Sequence, residues 1–487
     1  MKYRSVFGGL GKILAFSAIF YVFPVIVTLL YKEYAALPGF LIACGISAAS
    51  GGAMLLISRG ARKIRHREAL VIVGLCWILV SLIGALPAVI GGYIPSFIDS
   101  FFETVSGFTT TGATILTDFN LPKSIHFWRA FTHWLGGMGI LVFMLAVLPT
   151  RGGDGFQLMK FESPGPQAGK LVSKIRSTAL ILYLLYFVLT IAEFIFLLFG
   201  KIPVYDSLIL AMSTAGTGGF TSTAASVAEY RSVYADIVIT VFMFIFSVNF
   251  SLYYLVLIGN VKSALKDEEF RFYTIFILSC ILVITLDNTF RFAEYGKNFF
   301  TALHYSAFTV ISTSSTTGFV ITDYGQWSNF SQCMILLVMI VGSMAGSTGG
   351  GLKASRALIL LKASRCDTAK FLRPNAVYTM KMNGKPLSEN VVSEVKNFFF
   401  VAVALAIISC LLLSLDPACD FMTSVTSFLT CFNNVGPGLS KIIPPTGSFA
   451  PLHALSKLYL SLVMLIGRLE IFPVFLLLVP KTWEKRC

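Results

Sequence analysis

Long apolar runs recur along the chain and determine its predicted architecture. A run of about 18 or more mostly apolar residues can cross the hydrocarbon core of a membrane as one helix. Such runs fall at residues 13–30, 37–57, 69–90, 128–148, 179–199, 237–258, 273–286, 333–361, 398–415 and 455–479. The seventh run is short. The pattern predicts an all-α integral membrane protein.

Four shorter apolar segments lie between these runs, all on one side of the predicted membrane. Each ends in a hydroxyl- or amide-rich stretch that closes on glycine, at residues 108–113, 215–220, 314–319 and 432–437. The glycines recur at intervals of roughly 100 to 120 residues, which indicates parallel internal duplication. Non-helical backbone is tolerated at membrane depth only where protein buries it or where it lines a watery cavity. Four re-entrant loops therefore predict a central pathway.

The repeat divides the chain into five predicted regions. Residues 1–67 form an N-terminal two-helix extension, and residues 68–176, 177–271, 272–390 and 391–487 form pore repeats 1 to 4. The predicted fold is thus four helix–pore loop–helix pseudo-repeats around a central pore, with two extra N-terminal transmembrane helices. Lys2, Arg4 and Lys12 imitate the start of a signal peptide, but the following run is long enough to span the membrane and is interpreted as a helix.

The four loops have the chemistry of an alkali-cation filter. Extended backbone can surround a dehydrated cation with rings of carbonyl oxygens, and glycine adopts the positive φ that this requires. The hydroxyls of Thr111 and Thr317 are further candidate ligands. No charged residue falls within the four stretches, which argues against a carboxylate ring. The candidate filter residues are Thr110, Thr111, Gly112, Thr217, Gly218, Gly219, Thr316, Thr317, Gly318, Asn434, Val435 and Gly436. An ordinary polar turn would explain one loop, but four equivalent loops favour a filter.

A glycine-rich stretch interrupts the apolar run at residues 333–361. Its glycines each cost about 1 kcal/mol in a helix relative to alanine, so a break is predicted. A close helix–helix contact through Gly342 and Gly346 is an alternative, but it leaves the run at residues 349–351 unexplained. A nucleotide P-loop does not fit, because Leu352 stands where its lysine belongs.

Arg468 lies within the last apolar run, where an arginine costs roughly 2.5 to 3.5 kcal/mol. A pair with Glu470 is one explanation, although residues two apart on a helix do not face each other. The alternative that we favour places Arg468 in a water-filled pore beneath the filter, as an electrostatic barrier. The candidate gate comprises Gly346, Ser347, Thr348, Gly349, Gly350, Gly351, Lys353 and Arg468.

Composition and charge also support the prediction of an integral membrane protein. Hydrophobic residues make up 56% of the chain and charged residues 13%, and mean hydropathy is +0.78. The net charge of +14 resides in short segments between apolar runs, so a membrane protein with basic loops is favoured over a nucleic-acid partner. The distribution of Lys and Arg among these segments predicts that both termini are cytoplasmic. The nine cysteines lie mostly in apolar runs, without Cys-x-x-Cys spacing, and are interpreted as packing residues.

Coupled transport and enzymatic catalysis are two alternative functions for an integral membrane protein. A cation-coupled secondary transporter stays open, although the sequence has no inverted repeat and only an isolated Glu193 in the fifth run. An enzyme is not expected, because the five histidines lack metal-ligand spacing and Gly-x-Ser-x-Gly is absent. No cofactor is expected beyond the transported ion.

The sequence closely resembles the TrkH family, the pore-forming subunits of bacterial Trk potassium uptake systems in the Trk/Ktr/HKT superfamily. The resemblance covers essentially the whole chain. It rests on the four glycine loops, on His-Trp-Leu-Gly-Gly-Met-Gly at residues 133–139, on the glycine-rich break and on Arg468. The loop with Asn433, Asn434 and Val435 departs from the hydroxyl pattern, so strict discrimination between potassium and rubidium is not expected.

This resemblance implies a function and partners that the residues alone do not give. Gly112, Gly219, Gly318 and Gly436 would be the filter glycines, potassium would be the substrate, and uptake across the bacterial inner (cytoplasmic) membrane would be channel-like. A TrkA-like cytoplasmic nucleotide-binding ring would gate the pore. The chain would form a membrane homodimer in which each copy holds its own pathway.

Overall fold

The computed structural model describes residues 1, 3–58, 65–139, 175–292, 295, 297–373 and 379–484. Its architecture is all-α, as predicted. Among these residues six helices are long and apolar enough to cross a membrane, or seven if one bent pair counts as a single span. The predicted run at 128–148 and region 68–176 extend beyond the described residues.

The N-terminal extension consists of α1 (Tyr3–Ser17), α2 (Val22–Leu30) and α3 (Leu37–Ile57). A 3-10 turn joins the first two helices, which form one 28-residue apolar span. Small residues let α1 and α3 approach closely: a Cβ on Gly51 would lie 2.4 Å from the Ala15 nitrogen, and the hydroxyls of Ser17 and Ser47 are 2.8 Å apart. Such close packing is typical of membrane helix pairs.

The first two pore repeats follow. The first contains α4 (His66–Gly84), α5 (Leu86–Ile90), α6 (Phe97–Phe108) and α7 (Lys123–Gly137), and the second contains α8 (Ile175–Phe199), α9 (Val204–Gly216), α10 (Val233–Ser247), α11 (Phe250–Leu257) and α12 (Val261–Leu265). The N-terminal extension holds α7 in place, because Glu33 accepts hydrogen bonds from the Lys123 and Ser124 nitrogens at 2.8 and 3.0 Å. The rings of Tyr21 and Trp128 also stack, with centroids 4.7 Å apart.

The last two pore repeats have the same plan. They contain α13 (Glu268–Arg291), α14 (Phe299–Ser314), α15 (Asn329–Val341), α16 (Ala354–Leu372), α17 (Glu389–Leu413), α18 (Phe421–Phe432), α19 (Ala454–Leu469) and α20 (Phe472–Leu478). Between α16 and α17, β1 (Lys381–Met382) pairs with β2 (Lys385–Pro386) in a small hairpin. Asn383 and Gly384 form its turn with positive φ, as a two-residue hairpin loop requires.

Several predicted helices differ from the structure, and the run at 128–148 is one of them, since α7 ends at Gly137. The run at 273–286 is longer than expected, because α13 has 24 residues. The run at 237–258 is broken, since α10 and α11 meet at 92°. The run at 455–479 is interrupted at Glu470 and Ile471, which both have positive φ. The predicted break within 333–361 is confirmed, because α15 ends at Val341 and α16 begins at Ala354.

Candidate functional site: four loops and the break beneath them

The four short helices α6, α9, α14 and α18, here called pore helices 1 to 4, end in equivalent turns. In each, the residue before the predicted filter glycine donates its backbone N–H to the carbonyl five positions earlier, at 2.9 Å in every case: Thr111 to Ser106, Gly218 to Ser213, Thr317 to Ser312 and Val435 to Thr430. This is the Schellman arrangement that terminates a helix. The four predicted loops are therefore structurally equivalent as well as similar in sequence.

Backbone conformation repeats through the four loops. The glycines Gly112, Gly219, Gly318 and Gly436 all have positive φ, and so do the residues two positions earlier, Thr110, Thr217, Thr316 and Asn434. A non-glycine residue held in this region stores about 1 to 3 kcal/mol of strain. Such strain, repeated at one position of every loop, indicates a backbone shape that the surrounding packing enforces.

The loops close into a ring. A Cβ on Gly112 would lie 1.9 Å from the Gly218 oxygen, one on Gly219 2.2 Å from the Thr317 oxygen, one on Gly318 2.0 Å from the Val435 oxygen, and one on Gly436 2.5 Å from the Thr111 oxygen. Each glycine thus faces the carbonyl that precedes the glycine of the next loop, and the fourth loop returns to the first. No other residue type fits these contacts without displacing backbone.

Backbone carbonyls in this ring have no hydrogen-bond partner among the described residues. In the described part of the chain, no hydrogen bond reaches the carbonyl oxygens of Thr110, Thr111, Gly112 or their counterparts in the other loops. These residues are almost entirely buried. Because buried carbonyls normally find a partner, oxygens in this state are suited to coordinating water or a dehydrated cation. The partly negative C-terminal ends of the pore helices add to the attraction for a cation.

The hydroxyls predicted as additional ligands contact protein atoms. Thr111 Oγ1 lies 2.8 Å from Thr109 Oγ1 and accepts from Asn434 Nδ2 at 2.9 Å. Thr317 Oγ1 lies 2.8 Å from Ser315 Oγ. These bonds link loops 1 and 3 to the ends of their own helices and link loop 4 to loop 1. The Thr111 and Thr317 hydroxyls therefore stabilise the ring, whereas Thr110 Oγ1 and Asn434 Oδ1, like the backbone carbonyls, have no hydrogen-bond partner among the described residues.

Residues 342–353, between α15 and α16, include most of the predicted gate and are called the gating loop after that prediction; they lie against the third and fourth of the predicted filter loops, which are numbered 1 to 4 in chain order. The side of the filter from which the pore helices begin is here called outer, and the gating loop is on the opposite, inner side. Gly350 donates its N–H to Thr316 Oγ1 at 2.8 Å. A Cβ on Gly349 would lie 2.8 Å from the Ser315 oxygen, and one on Gly350 2.7 Å from the Asn433 oxygen. The glycine run allows the loop to touch the filter backbone.

Several groups hold the gating loop in this position. Glu269, at the start of α13, accepts from the Ala345 and Ser355 nitrogens at 2.7 and 3.1 Å. The buried Lys353 ammonium donates to the Gly349 carbonyl and to Ser343 Oγ. Gly342 and Gly346 have positive φ within the loop, so the alternative of a Gly-x-x-x-Gly helix contact is wrong.

Arg468 joins the gating loop to the first repeat. Its guanidinium donates to the Thr348 carbonyl at 2.7 Å and to the Gly136 and Gly137 carbonyls at 2.5 and 2.8 Å. Gly136 and Gly467 occupy matching places, since a Cβ on either would lie about 2 Å from the last carbonyl of a pore helix. Glu470 forms an ion pair with Arg356 at 2.6 Å. The charge predicted at mid-membrane is thus balanced in part by backbone oxygens beneath the filter.

Sequence reasoning missed the groups that surround the gating loop. The break between α10 and α11 receives it: the Met344 nitrogen donates to the Ser247 carbonyl, and the Phe250 nitrogen donates to the Gly346 carbonyl, both at 3.1 Å. The signal was present, because Asn249 is an amide within an apolar run and it caps α11 through the Ser251 nitrogen. Glu269 had no comparable signal in the sequence, because a glutamate in the first turn is common in helices.

Comparison with known proteins identifies relatives over the full length. The sequence model of the TrkH family, described as a cation transport protein, matches residues 40–485. The Trk system potassium uptake protein TrkH of Salmonella typhimurium is 33% identical over 490 residues and covers 100% of both chains. That of Vibrio parahaemolyticus is 34% identical over 492 residues, with 99% of this chain and 100% of the relative covered.

A solved structure is similar throughout. The crystal structure of the potassium transporter TrkH from Vibrio parahaemolyticus matches with a TM-score of 0.88 at 30% sequence identity, covering 99% of this chain and 100% of that chain. The likeness therefore extends over nearly the whole length of both chains.

Proposed function

Because the chain belongs to the TrkH family of cation transport proteins, we propose that it takes up potassium through the ring of four loops. It is a transport protein and not an enzyme. Potassium is the substrate, coordinated by the backbone carbonyls at Thr110 to Gly112 and their counterparts in the other three loops. The pathway is channel-like, and it crosses the inner membrane with both termini on the cytoplasmic side.

One observation carries this proposal: the cyclic contact of each filter glycine with the carbonyl before the next. Four equivalent loops surrounding one axis give rings of oxygens of the kind that replace an alkali ion's hydration shell. The matching ends of the pore helices support the proposed repeats at residues 68–176, 177–271, 272–390 and 391–487.

We propose further that the gating loop and Arg468 control flow beneath the filter. The loop touches filter loops 3 and 4, and Arg468 connects it to Gly136 and Gly137. In this position the loop narrows the inner path, and the arginine charge opposes a passing cation. Withdrawal of residues 346–351 would break the bonds to Thr316 and Arg468 and open the path.

The proposed partners are a TrkA-like nucleotide-binding ring and a second copy of this chain. Relatives are named as members of a Trk system, which supports a multi-component assembly. The gating loop leads directly into α16, whose basic residues form a surface for a cytoplasmic regulator. A force applied to α16 would reach the loop through Lys353.

A cation-coupled transporter is the second candidate function, and one observation favours it. Glu193 in α8 is fully buried, and neither of its carboxylate oxygens has a hydrogen-bond partner among the described residues. A buried carboxyl group in a membrane is a candidate proton site. Coupling would make potassium flux depend on a proton or sodium gradient.

Flux into sealed liposomes separates these functions. Purified protein is reconstituted, and potassium, rubidium and sodium uptake is measured with and without an imposed proton or sodium gradient. A channel-like protein passes potassium well above sodium down its own gradient, whatever the other gradients. Uptake that requires a second gradient would favour coupling, and absence of any cation flux would refute both functions.

A further inference from the structure

A buried ion pair lies behind the outer ends of filter loops 1 and 2. Glu103 of α6 and Arg129 of α7 approach to 2.8 Å, and their side chains are only 4% and 5% exposed. The residues at the position of Glu103 in the other pore helices are Leu210, Thr309 and Ser427. Glu103 is therefore a feature of the first pore helix alone, and the internal repeat does not explain why a carboxylate is present there.

Glu103 holds the segment that leaves filter loop 1. Its carboxylate accepts the Ile115 N–H at 2.8 Å and the Thr114 hydroxyl at 2.9 and 3.1 Å. Thr114 follows Gly112 closely, and its own carbonyl accepts from the Phe449 nitrogen at 2.8 Å. The position of this segment is thus fixed from the pore helix and from repeat 4.

Arg129 extends the same support to filter loop 2. Its Nη1 donates to the Thr221 carbonyl at 3.1 Å, and its guanidinium carbon lies 4.1 Å from the centre of the Phe220 ring. These two residues come directly after Gly219. One ion pair therefore connects the outward segments of two neighbouring loops, through a hydrogen bond and a cation–π contact.

We propose that Glu103 and Arg129 are positioning residues that set potassium selectivity by fixing the separation of loops 1 and 2. The inference rests on the function proposed above. Between these loops, a Cβ on Gly112 would lie only 1.9 Å from the Gly218 oxygen. Discrimination among alkali ions depends on the size and field of the carbonyl cage, so a small displacement of loop 1 against loop 2 changes it. The pair acts through the loop backbone and not on the ion.

The test compares potassium and sodium flux in liposomes for variants that separate charge from shape. Glu103→Gln keeps an acceptor for the Ile115 N–H, and Arg129→Lys keeps the charge but not the planar fork. In Glu103→Gln/Arg129→Gln both charges are removed, so neither is left buried and unpaired. Arg291→Gln is the control, because Arg291 is 68% exposed in its ion pair with Asp287.

We expect the ratio of potassium to sodium flux to fall about tenfold in Glu103→Gln and in the double variant, a change that corresponds to one decade in relative affinity. Arg129→Lys should be intermediate, and Arg291→Gln should match wild type. The double variant should also be more heat-stable than either single variant, yet no more selective. Recovery of stability without selectivity distinguishes positioning from a merely structural role.

Two results would overturn the proposal. One is a folded double variant with the wild-type flux ratio, and the other is an equal loss of potassium and sodium flux in every variant. Absence of a potassium preference in the wild-type protein would instead refute the proposed filter, so the two failures are distinguishable.

Discussion

The contact between Gly350 and Thr316 gives a sharp test of how the gating loop is held. Thr316→Val removes the hydroxyl oxygen that accepts the Gly350 N–H at 2.8 Å while keeping the side chain's shape. Thr110 is a matched control, because it occupies the same position in loop 1, also with positive φ, and its Oγ1 has no partner within the described chain. Thr110→Val therefore makes the same chemical change without removing a bond to the gating loop.

The expected size follows from the cost of an unpaired buried donor. Leaving the Gly350 N–H unsatisfied costs about 1 to 3 kcal/mol, which shifts the equilibrium between docked and withdrawn loop roughly 5- to 150-fold. If docking closes the pathway, potassium flux through Thr316→Val rises by a factor in this range until the open loop predominates. Thr110→Val should stay near the wild-type rate.

The assay is potassium flux into liposomes at equal amounts of folded protein, checked by gel filtration and thermal unfolding. Equal flux in the two variants would refute the role assigned to this contact. A rise in both would point to a general effect of valine in the filter and not to the gating loop.

Three further variants test the same site. Arg468→Ala removes the guanidinium that donates to Thr348, and cation flux should increase; unchanged or lower flux in folded protein would count against a gate. Glu269→Gln weakens the acceptor for the Ala345 and Ser355 nitrogens, so we expect higher flux and a loss of about 1 to 3 kcal/mol in stability by thermal unfolding. Gly350→Ala places a Cβ 2.7 Å from the Asn433 carbonyl and should raise resting flux; a tighter pore would contradict the close approach described here.

The positions of the loops could be predicted from sequence because backbone requirements there are severe. A glycine with positive φ that faces a neighbouring carbonyl tolerates no side chain, so Gly112, Gly219, Gly318 and Gly436 stand out by residue type alone. The break at residues 342–353 was predictable for a related reason, since a cluster of glycines makes a continuous helix unfavourable.

The breaks in the runs at 237–258 and 455–479 could not be predicted as readily. Each segment has polar residues at its interruption, Asn249 in one and Glu470 in the other, but the mean hydropathy of a long run stays high in spite of them. The interruptions at Val248 and Glu470 depend on what the neighbouring repeat supplies: the gating loop pairs with the Ser247 carbonyl and the Phe250 N–H, and Arg356 pairs with Glu470. A local sequence pattern cannot predict such contacts with distant residues.

The roles of polar side chains were the least predictable part. Thr111 and Thr317 were candidate ligands by chemistry, yet their hydroxyls bond to Thr109 and Ser315. The pairing of Glu103 with Arg129 joins two elements separated by a long loop, so a local sequence pattern does not show that the two charges meet.

If the four loops form one selective ring, Gly318→Ser should abolish the preference for potassium. A Cβ on Gly318 would lie 2.0 Å from the Val435 oxygen and 2.6 Å from Pro437 Cδ, whereas one on Gly45 meets nothing within 4 Å. Potassium, rubidium and sodium flux is measured in liposomes for wild type, Gly318→Ser and the control Gly45→Ser. We expect wild type and Gly45→Ser to pass potassium well above sodium and Gly318→Ser to lose this preference. A folded Gly318→Ser protein with wild-type selectivity would contradict a selective ring of four loops.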